Sequence, residues 1–299
     1  MKHTLIFVFL DGVGLGDDTA ANPLADDAMP ALTSFLETPL VRGSELFTDR
    51  LLFKGIDACL AVPGIPQSAT GQTALLTGIN AAHSLGQHYP AFPNEELIQL
   101  IRQHNLYDKA AFLGRRSLFA NAYSTSYFDD VKTKKRRVSV TTHALLAAGL
   151  PILTLDDLVK GKAVFWDITR TALSRFPLSG NIPTVEPETA ARHLVGLASD
   201  ADLIVFECFL PDVVGHKRNP SQVRQTLRII DRFLSEIIET LPQDVTLLVT
   251  SDHGNIEDLS TGQHTVNPVP LLVTGPAACF FNEAESLVDI TPSLLRALE

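Results

Sequence analysis

Thr250-Ser251-Asp252-His253-Gly254-Asn255 follows directly on Asp244-Val245-Thr246-Leu247-Leu248-Val249, and that junction decides how the chain is read. The second stretch is a short apolar run rich in β-branched residues, which predicts a buried strand. An acid and an imidazole then stand side by side where the strand ends, and Gly254 lets the backbone turn. In open α/β sheets ligands bind outside the carboxyl ends of strands, and carboxylate with imidazole suits zinc or manganese. An isolated Asp-His pair also serves as a turn with a hydrogen-bonded histidine. The rest of the chain has to separate the two readings.

Working outward, Thr4 to Leu10 is a continuous apolar run, as expected of a strand covered on both faces. It delivers Asp11, followed by Gly12, Gly14 and Gly16. This spacing is not G-x-G-x-x-G, so a dinucleotide site is not expected, although Asp11 could equally cap a helix. Residues 57–62 read as a second short strand. Pro66-Gln67-Ser68-Ala69-Thr70-Gly71-Gln72 then leads into a helix-like segment ending at Gly78. Ser68 there is either an N-cap or a nucleophile, aided by the helix dipole and by free backbone N–H groups that can hold a phosphate. Asn94–Gln103 reads as an amphipathic helix and Lys109–Gly114 as a strand.

From Arg115 the composition changes. Arg115, Arg116, Lys132, Lys134, Lys135, Arg136 and Arg137 cluster with Tyr123, Tyr127 and Phe128, and the strand–helix rhythm is lost. Residues 115–183 are therefore expected to form an inserted cap between core portions 1–114 and 184–299. Its basic residues suit a solvated loop or, for one or two arginines, bidentate contacts to an anionic substrate. Arg115, Arg116, Arg136, Arg137 and Arg170 are the candidates, with Asp167 beside them. The rhythm returns with a helix over Glu186–Ala198 and the strand Leu203–Phe206, after which Asp212 and His216 stand four positions apart. Ser221–Thr240 has apolar residues at helical spacing, a core-facing stripe. Gln263-His264-Thr265-Val266-Asn267-Pro268-Val269-Pro270 leads to a last strand, Leu271–Thr274, with the prolines marking an approach or edge segment.

The 299 residues suffice for one large domain or for a core with an insertion, and 45% hydrophobic with 19% charged residues describes an ordinary globular protein. A net charge of −10 argues against nucleic acid as a partner. Cys59, Cys208 and Cys279 share no C-x-x-C spacing and read as reduced thiols. Asp11 ends the first apolar run too early for a signal-peptide core or a membrane span, so a cytoplasmic protein with no membrane partner is expected.

Asp11, Asp212, His216, Asp252, His253 and His264 give three carboxylates and three imidazoles, more than one tetrahedral ion needs. With the Ser68 hydroxyl there are seven ligands, enough for two divalent ions, Mn2+ or Zn2+. Such a pair clamps both oxygens of an in-line phosphoryl displacement. These segments, Leu10–Gly14, Ser68–Gln72, Asp212–His216, Ser251–Asn255 and His264–Pro270, resemble the alkaline phosphatase superfamily. Within it they are similar to the branch of cofactor-independent phosphoglycerate mutases and phosphopentomutases.

The resemblance implies an α/β fold, a three-layer α/β/α sandwich with a mostly parallel central sheet and a small inserted cap. It implies that Asp212, His216 and His264 hold one metal and that Asp11, Asp252, His253 and Ser68 hold the other. Ser68 would be the nucleophile that becomes a phosphoserine, with Thr70 as the fallback. Two departures stand out. Gln72 follows Gly71 where those mutases usually carry His, and the insertion is smaller than the domain with which they hold a phosphoglycerate. A small phosphorylated metabolite is the expected partner, with hydrolysis of a phosphate monoester favoured. A phosphomutase, a sulfatase or phosphodiesterase, or a non-catalytic metal-binding protein are the alternatives.

Overall fold

The computed structural model describes residues 3–175 and 182–299, and its frame is one seven-stranded sheet. In chain order the strands are β1 (Thr4–Leu10), β2 (Leu46–Phe47), β3 (Leu51–Ile56), β4 (Ser117–Phe119), β5 (Leu203–Cys208), β6 (Val245–Thr250) and β7 (Val269–Thr274). Their spatial order is β2-β3-β7-β6-β1-β5-β4. The sheet is mixed. β6, β1, β5 and β4 run parallel, while β7 is antiparallel to both β6 and β3. Two reversals bring β3 back into the direction of β6. The carboxyl ends of β1, β3, β5 and β6 and the entry to β7 therefore all open on one edge.

β1 explains why the sheet is covered on both sides. Successive side chains of a strand point to opposite faces. Leu5, Phe7 and Phe9 enter one apolar layer with Leu75, Leu97 and Leu294, whereas Ile6, Val8 and Leu10 enter the other with Leu194, Ile230 and Leu234. The helices Ser68–Thr77, Glu95–His104 and Ile290–Leu298 supply the first layer; Pro187–Gly196 and Pro220–Thr240 supply the second. In Pro220–Thr240 the residues Val223, Leu227, Ile230, Leu234 and Ile237 recur at helical spacing and are all buried. Each such side chain contributes about 1.5–3 kcal/mol by leaving water.

Four expectations are corrected. Residues 109–114 are not a strand, because Leu106–Phe112 is a helix whose first turn is capped by the Asn105 side chain. Residues 57–62 are not a strand: β3 ends at Ile56, and Asp57 then accepts from the backbone N–H groups of Cys59 and Leu60 (2.9 and 2.7 Å), turning the chain. Ser117–Phe119, placed in the insertion by the sequence, is the edge strand β4 of the main sheet. Pro270 lies in an interior strand rather than at an edge. It is tolerated because the β6 ladder starts only at Leu272, so on that side no backbone bond is lost at Pro270. Between β4 and β5 a separate small apolar cluster forms from Ala122, Leu158, Ala163, Phe165, Ala172 and Leu173. Residues 176–181 of the expected cap lie outside the described residues.

Candidate metal centre and active site

The common edge of the sheet collects all of the metal-ligand candidates singled out in the sequence. Asp11 follows β1, Asp212 lies in the short helix after β5, Asp252 and His253 follow β6, and His264 lies in the loop entering β7. Gly12 makes the first turn possible: its φ is +78°, and a Cβ there would stand 2.9 Å from Asp212 Cα. The ligand atoms of Asp11, Asp252 and His253 lie within 4.8 Å of one another, and so do those of Asp212, His253 and His264. His216 completes the second group, with Nε2 at 3.2 Å from Asp212 Oδ1 and 3.3 Å from His264 Nε2. His253, stacked on His264 with ring centroids 3.6 Å apart, stands between the two groups.

The imidazoles are oriented from behind. His216 Nδ1 lies 2.8 Å from Gly262 O, His264 Nδ1 2.9 Å from Pro66 O, and His253 Nδ1 3.3 Å from Gly254 O. A carbonyl only accepts, so each Nδ1 carries the proton, and in the neutral ring each Nε2 turns a lone pair inward. Those nitrogens face carboxylate oxygens: His264 Nε2 is 3.4 Å from Asp212 Oδ1, and His253 Nε2 is 3.4 Å from Asp11 Oδ1 and 3.5 Å from Asp252 Oδ2. Against its burial, the hydrogen bond with Asp212 holds the His264 ring above its usual value. Asp11 Oδ1 is buried with no hydrogen-bond partner among the described residues. Burial, then the charges of Asp252 and Asp212, pushes the Asp11 carboxyl well above its usual range. Burial, then Asp212, does the same to Asp252. Burial, then the neighbouring His264, drives His253 down to about 3 and keeps its ring neutral. Acids and imidazoles that crowd together, with carboxylate oxygens and ring nitrogens converging, are the hard and borderline donors a pair of divalent cations requires. The residues fit such ions.

Ser68 opens the helix Ser68–Thr77, and its Oγ lies 2.9 Å from His253 Nε2. Since Nδ1 holds the ring proton, the serine hydroxyl donates to Nε2. Thr70 is engaged elsewhere, donating to Gln67 O (3.1 Å) and accepting from Tyr89 N (3.2 Å), so its hydroxyl is not available. Gln72, one turn on from Ser68, donates its amide to Asp252 Oδ2 (3.1 Å) and to Asp11 Oδ2 (3.3 Å) and ties the two buried acids together.

Among the candidate substrate arginines, only Arg136 and Arg137 line the cavity in front of Ser68. Arg115 and Arg116 precede β4, which runs parallel to β5, and so lie at the opposite edge of the sheet. Arg115 donates there to Glu299 O (3.1 Å). Arg170 is buried within the insertion, donating to Leu158 O (2.9 Å), while Asp167 accepts from the backbone N–H groups of Arg170 and Ala172. Both build a turn and do not reach the cavity.

Sequence reasoning missed the residues that hold the ligands. Asn255 donates to Asp212 Oδ1 (2.7 Å). Ser251 Oγ accepts from Val13 N and donates to His253 O, both 2.9 Å. Glu257, buried, accepts from Gly14 N (2.9 Å), Asn255 N (2.7 Å), Asn267 Nδ2 (3.0 Å) and the Thr265 hydroxyl, joining three ligand-bearing loops. The nearness of Asn255 and Glu257 to Asp252-His253 was the available signal, but a surface turn has the same letters. Glu207, at the end of β5, was also missed. Its burial pushes the carboxyl up to about 8 against the hydrogen bond from Thr141 Oγ1 (2.5 Å).

A three-layer sandwich that gathers three acids, three imidazoles and a serine over one sheet edge is the architecture of a metal-dependent enzyme. The chain belongs to the Metalloenzyme superfamily, whose family model matches residues 2–299. In sequence it is similar to a 2,3-bisphosphoglycerate-independent phosphoglycerate mutase of Coxiella burnetii, 42% identical over 105 residues. The match takes in 32% of this chain and 20% of that relative, so the chain covers only a fifth of the relative's length. In structure it is similar to the PH0037 protein of Pyrococcus horikoshii (TM-score 0.61, 13% identity, covering 100% of this chain and 97% of the other). It is also similar to the alkaline phosphatase of the Antarctic bacterium TAB5 (TM-score 0.57, 13% identity, 100% and 98% covered). These likenesses agree with the alkaline-phosphatase-like fold that the motifs imply.

Proposed function

We propose that the protein is a two-metal phosphoryl-transfer enzyme that cleaves phosphate monoesters through a phosphoserine on Ser68. Asp11, Asp252, His253 and Ser68 would hold one Mn2+ or Zn2+, and Asp212, His216 and His264 the other. Bound there, the ions supply charge neutralisation and Lewis-acid activation at the serine and phosphoryl oxygens. The chain's own part begins with Ser68 Oγ, which gives up its proton and bonds to phosphorus while the ester alcohol leaves and takes up a proton. Water then cleaves the phosphoserine, restoring the hydroxyl and releasing phosphate. The free backbone N–H groups of the first turn, at residues 68–70, face the anionic oxygens. Gln72 and Asn255 hold Asp11, Asp252 and Asp212 in place throughout, and the segment between β4 and β5 would serve as the cap.

The observation that carries this reading is the Ser68 hydroxyl, 2.9 Å from His253 Nε2 and beside both acid–imidazole groups. Hydrolysis is favoured over internal transfer because a small cap has less means of excluding water from an intermediate. Phosphomutase is the second reading, favoured by the identity to a phosphoglycerate mutase. A single-turnover assay with phosphorylated sugars separates them: release of phosphate supports hydrolysis, and isomer without release supports a mutase. Ser68→Ala should abolish either while most bound metal stays. Undiminished turnover in that variant would remove Ser68 from the mechanism.

A further inference from the structure

The cavity in front of Ser68 has a volume of about 600 Å3, a size suited to a small organic ligand. Asp11, Ser68, Asp212, His216 and His264 lie along it, and so do Phe92, Tyr127, Trp166 and Phe209, which come from four separate stretches of chain. Trp166 and Phe209 meet edge to face at 6.2 Å between ring centroids, and Tyr127 packs against Tyr123 at 4.9 Å. These four aromatic residues are only part-buried, so ring surface is left to the cavity.

The charges along the wall point the same way. Arg136 and Arg137 are the lining cations among the described residues, and both are exposed. Their guanidinium groups lie 5.2 Å over the Tyr127 ring and 4.8 Å over the Phe92 ring. They extend the flat surfaces rather than forming an inner clamp for a second anion. Asp130 lines the same cavity, and a carboxylate or second phosphate on the substrate would meet it. Glu207 Oε1 is buried and has no hydrogen-bond partner among the described residues, which leaves a polar atom for a ring edge or hydroxyl.

The geometry points to a substrate whose alcohol half carries a flat aromatic ring, held against Phe92, Tyr127, Trp166 and Phe209 while its phosphate sits at Ser68. This rests on the phosphoryl-transfer reading for its phosphate end only. Stacking a ring on such a platform is worth about 1–3 kcal/mol, or about 5- to 150-fold in binding.

Adenosine 5′-monophosphate and ribose 5-phosphate leave from the same primary alcohol and differ by the base alone. Supplied with manganese or zinc, the enzyme should favour the nucleotide by at least about tenfold in kcat/KM, mostly through KM. Trp166→Leu and Phe92→Leu should each pull that ratio toward one. Equal kcat/KM for the two esters, or a preference that survives both substitutions, overturns the proposal. Trp166 is the one tryptophan of the chain, so its fluorescence reads the pocket without any reaction. Adenosine should change that emission saturably, while ribose should not. If adenosine does so but neither ester is turned over, the pocket stands and the phosphoryl-transfer reading fails. If esters are turned over but adenosine leaves the emission unchanged, the ring site fails and the chemistry stands.

Discussion

Glu257 is the residue on which the ligand-bearing loops converge, because both of its oxygens accept and neither is left over. Glu257→Gln keeps the shape but turns an NH2 toward donors from Gly14 and Asn255 or from Thr265 and Asn267. Such outer contacts typically govern metal affinity by 10- to 100-fold. The expected result is manganese binding weakened by about that range in calorimetric titration, with an unchanged far-ultraviolet circular dichroism spectrum. Unaltered affinity would deny Glu257 its positioning role. Glu207 makes a different prediction, because burial raises its carboxyl from an unfolded value near ~4.5 to about 8. In that window the folded state keeps a proton that the unfolded state has lost, so stability falls as pH rises from about 4.5 to 8. Glu207→Gln removes the titration, and the variant's melting temperature should fall less than that of the wild type between pH 5 and pH 8. Parallel curves would count against a buried, protonated Glu207. At this scale the sequence shows ligands better than supports. Asp252 and His253 announce themselves at a strand end, whereas Glu257 and Glu207 read like any acid until their partners, distant in sequence, are known.

The helix Ser68–Thr77 meets the turn after β6 at Gly71, where a Cβ would lie 2.7 Å from Asp252 O and 3.0 Å from Asp252 Cβ. Close approach of helix and loop thus sets the distance between Ser68 and His253. Gly71→Ala would gain about 1 kcal/mol of helix propensity, but the contact is with backbone and must shift. Overpacking of this kind costs about 1–3 kcal/mol. The expected outcome is lower stability in urea together with reduced metal occupancy; a stabilised variant with full occupancy would show that the loop yields freely. Elements themselves were unevenly legible. Pro220–Thr240 declares its period over 21 residues, and β1 and β6 declare theirs by unbroken apolar runs. Leu106–Phe112 is a seven-residue helix, too short for its period to outweigh the strand-like Ala110-Ala111-Phe112-Leu113. Ser117–Phe119, three residues preceded by two arginines, becomes a strand only because β5 offers it an edge.

Over the whole molecule, the fold gathers buried acids and imidazoles at one point, where a pair of cations would balance them. Asp11 and Asp252 are almost wholly inaccessible, and together with Asp212 they face the imidazole nitrogens of His253 and His264. The sequence revealed this gathering through chain order alone, since each acid or imidazole falls where a strand should end or begin. It could not reveal the aromatic cavity, whose walls come from four stretches that no period links. The consequence is testable by chelation. Ligand at about 100 times its dissociation constant stabilises the folded state by about 2.7 kcal/mol, and each kcal/mol moves the melting temperature of a chain this large by about 2–4 °C. Stripping the metal with a chelator should therefore lower the melting temperature by roughly 5–10 °C. The effect should grow with pH. In the metal-free protein both raised carboxyls hold protons that the unfolded chain releases above ~3.9, so the apo form loses stability as pH rises toward their folded values. Bound cations keep the same carboxylates ionised, so the loaded form escapes that loss. Melting curves at pH 5.5 and pH 8 should then diverge, with the larger metal-dependent gain at pH 8. A chelated protein that melts with the loaded one at both values would mean that the acid–imidazole cluster is held together without metal.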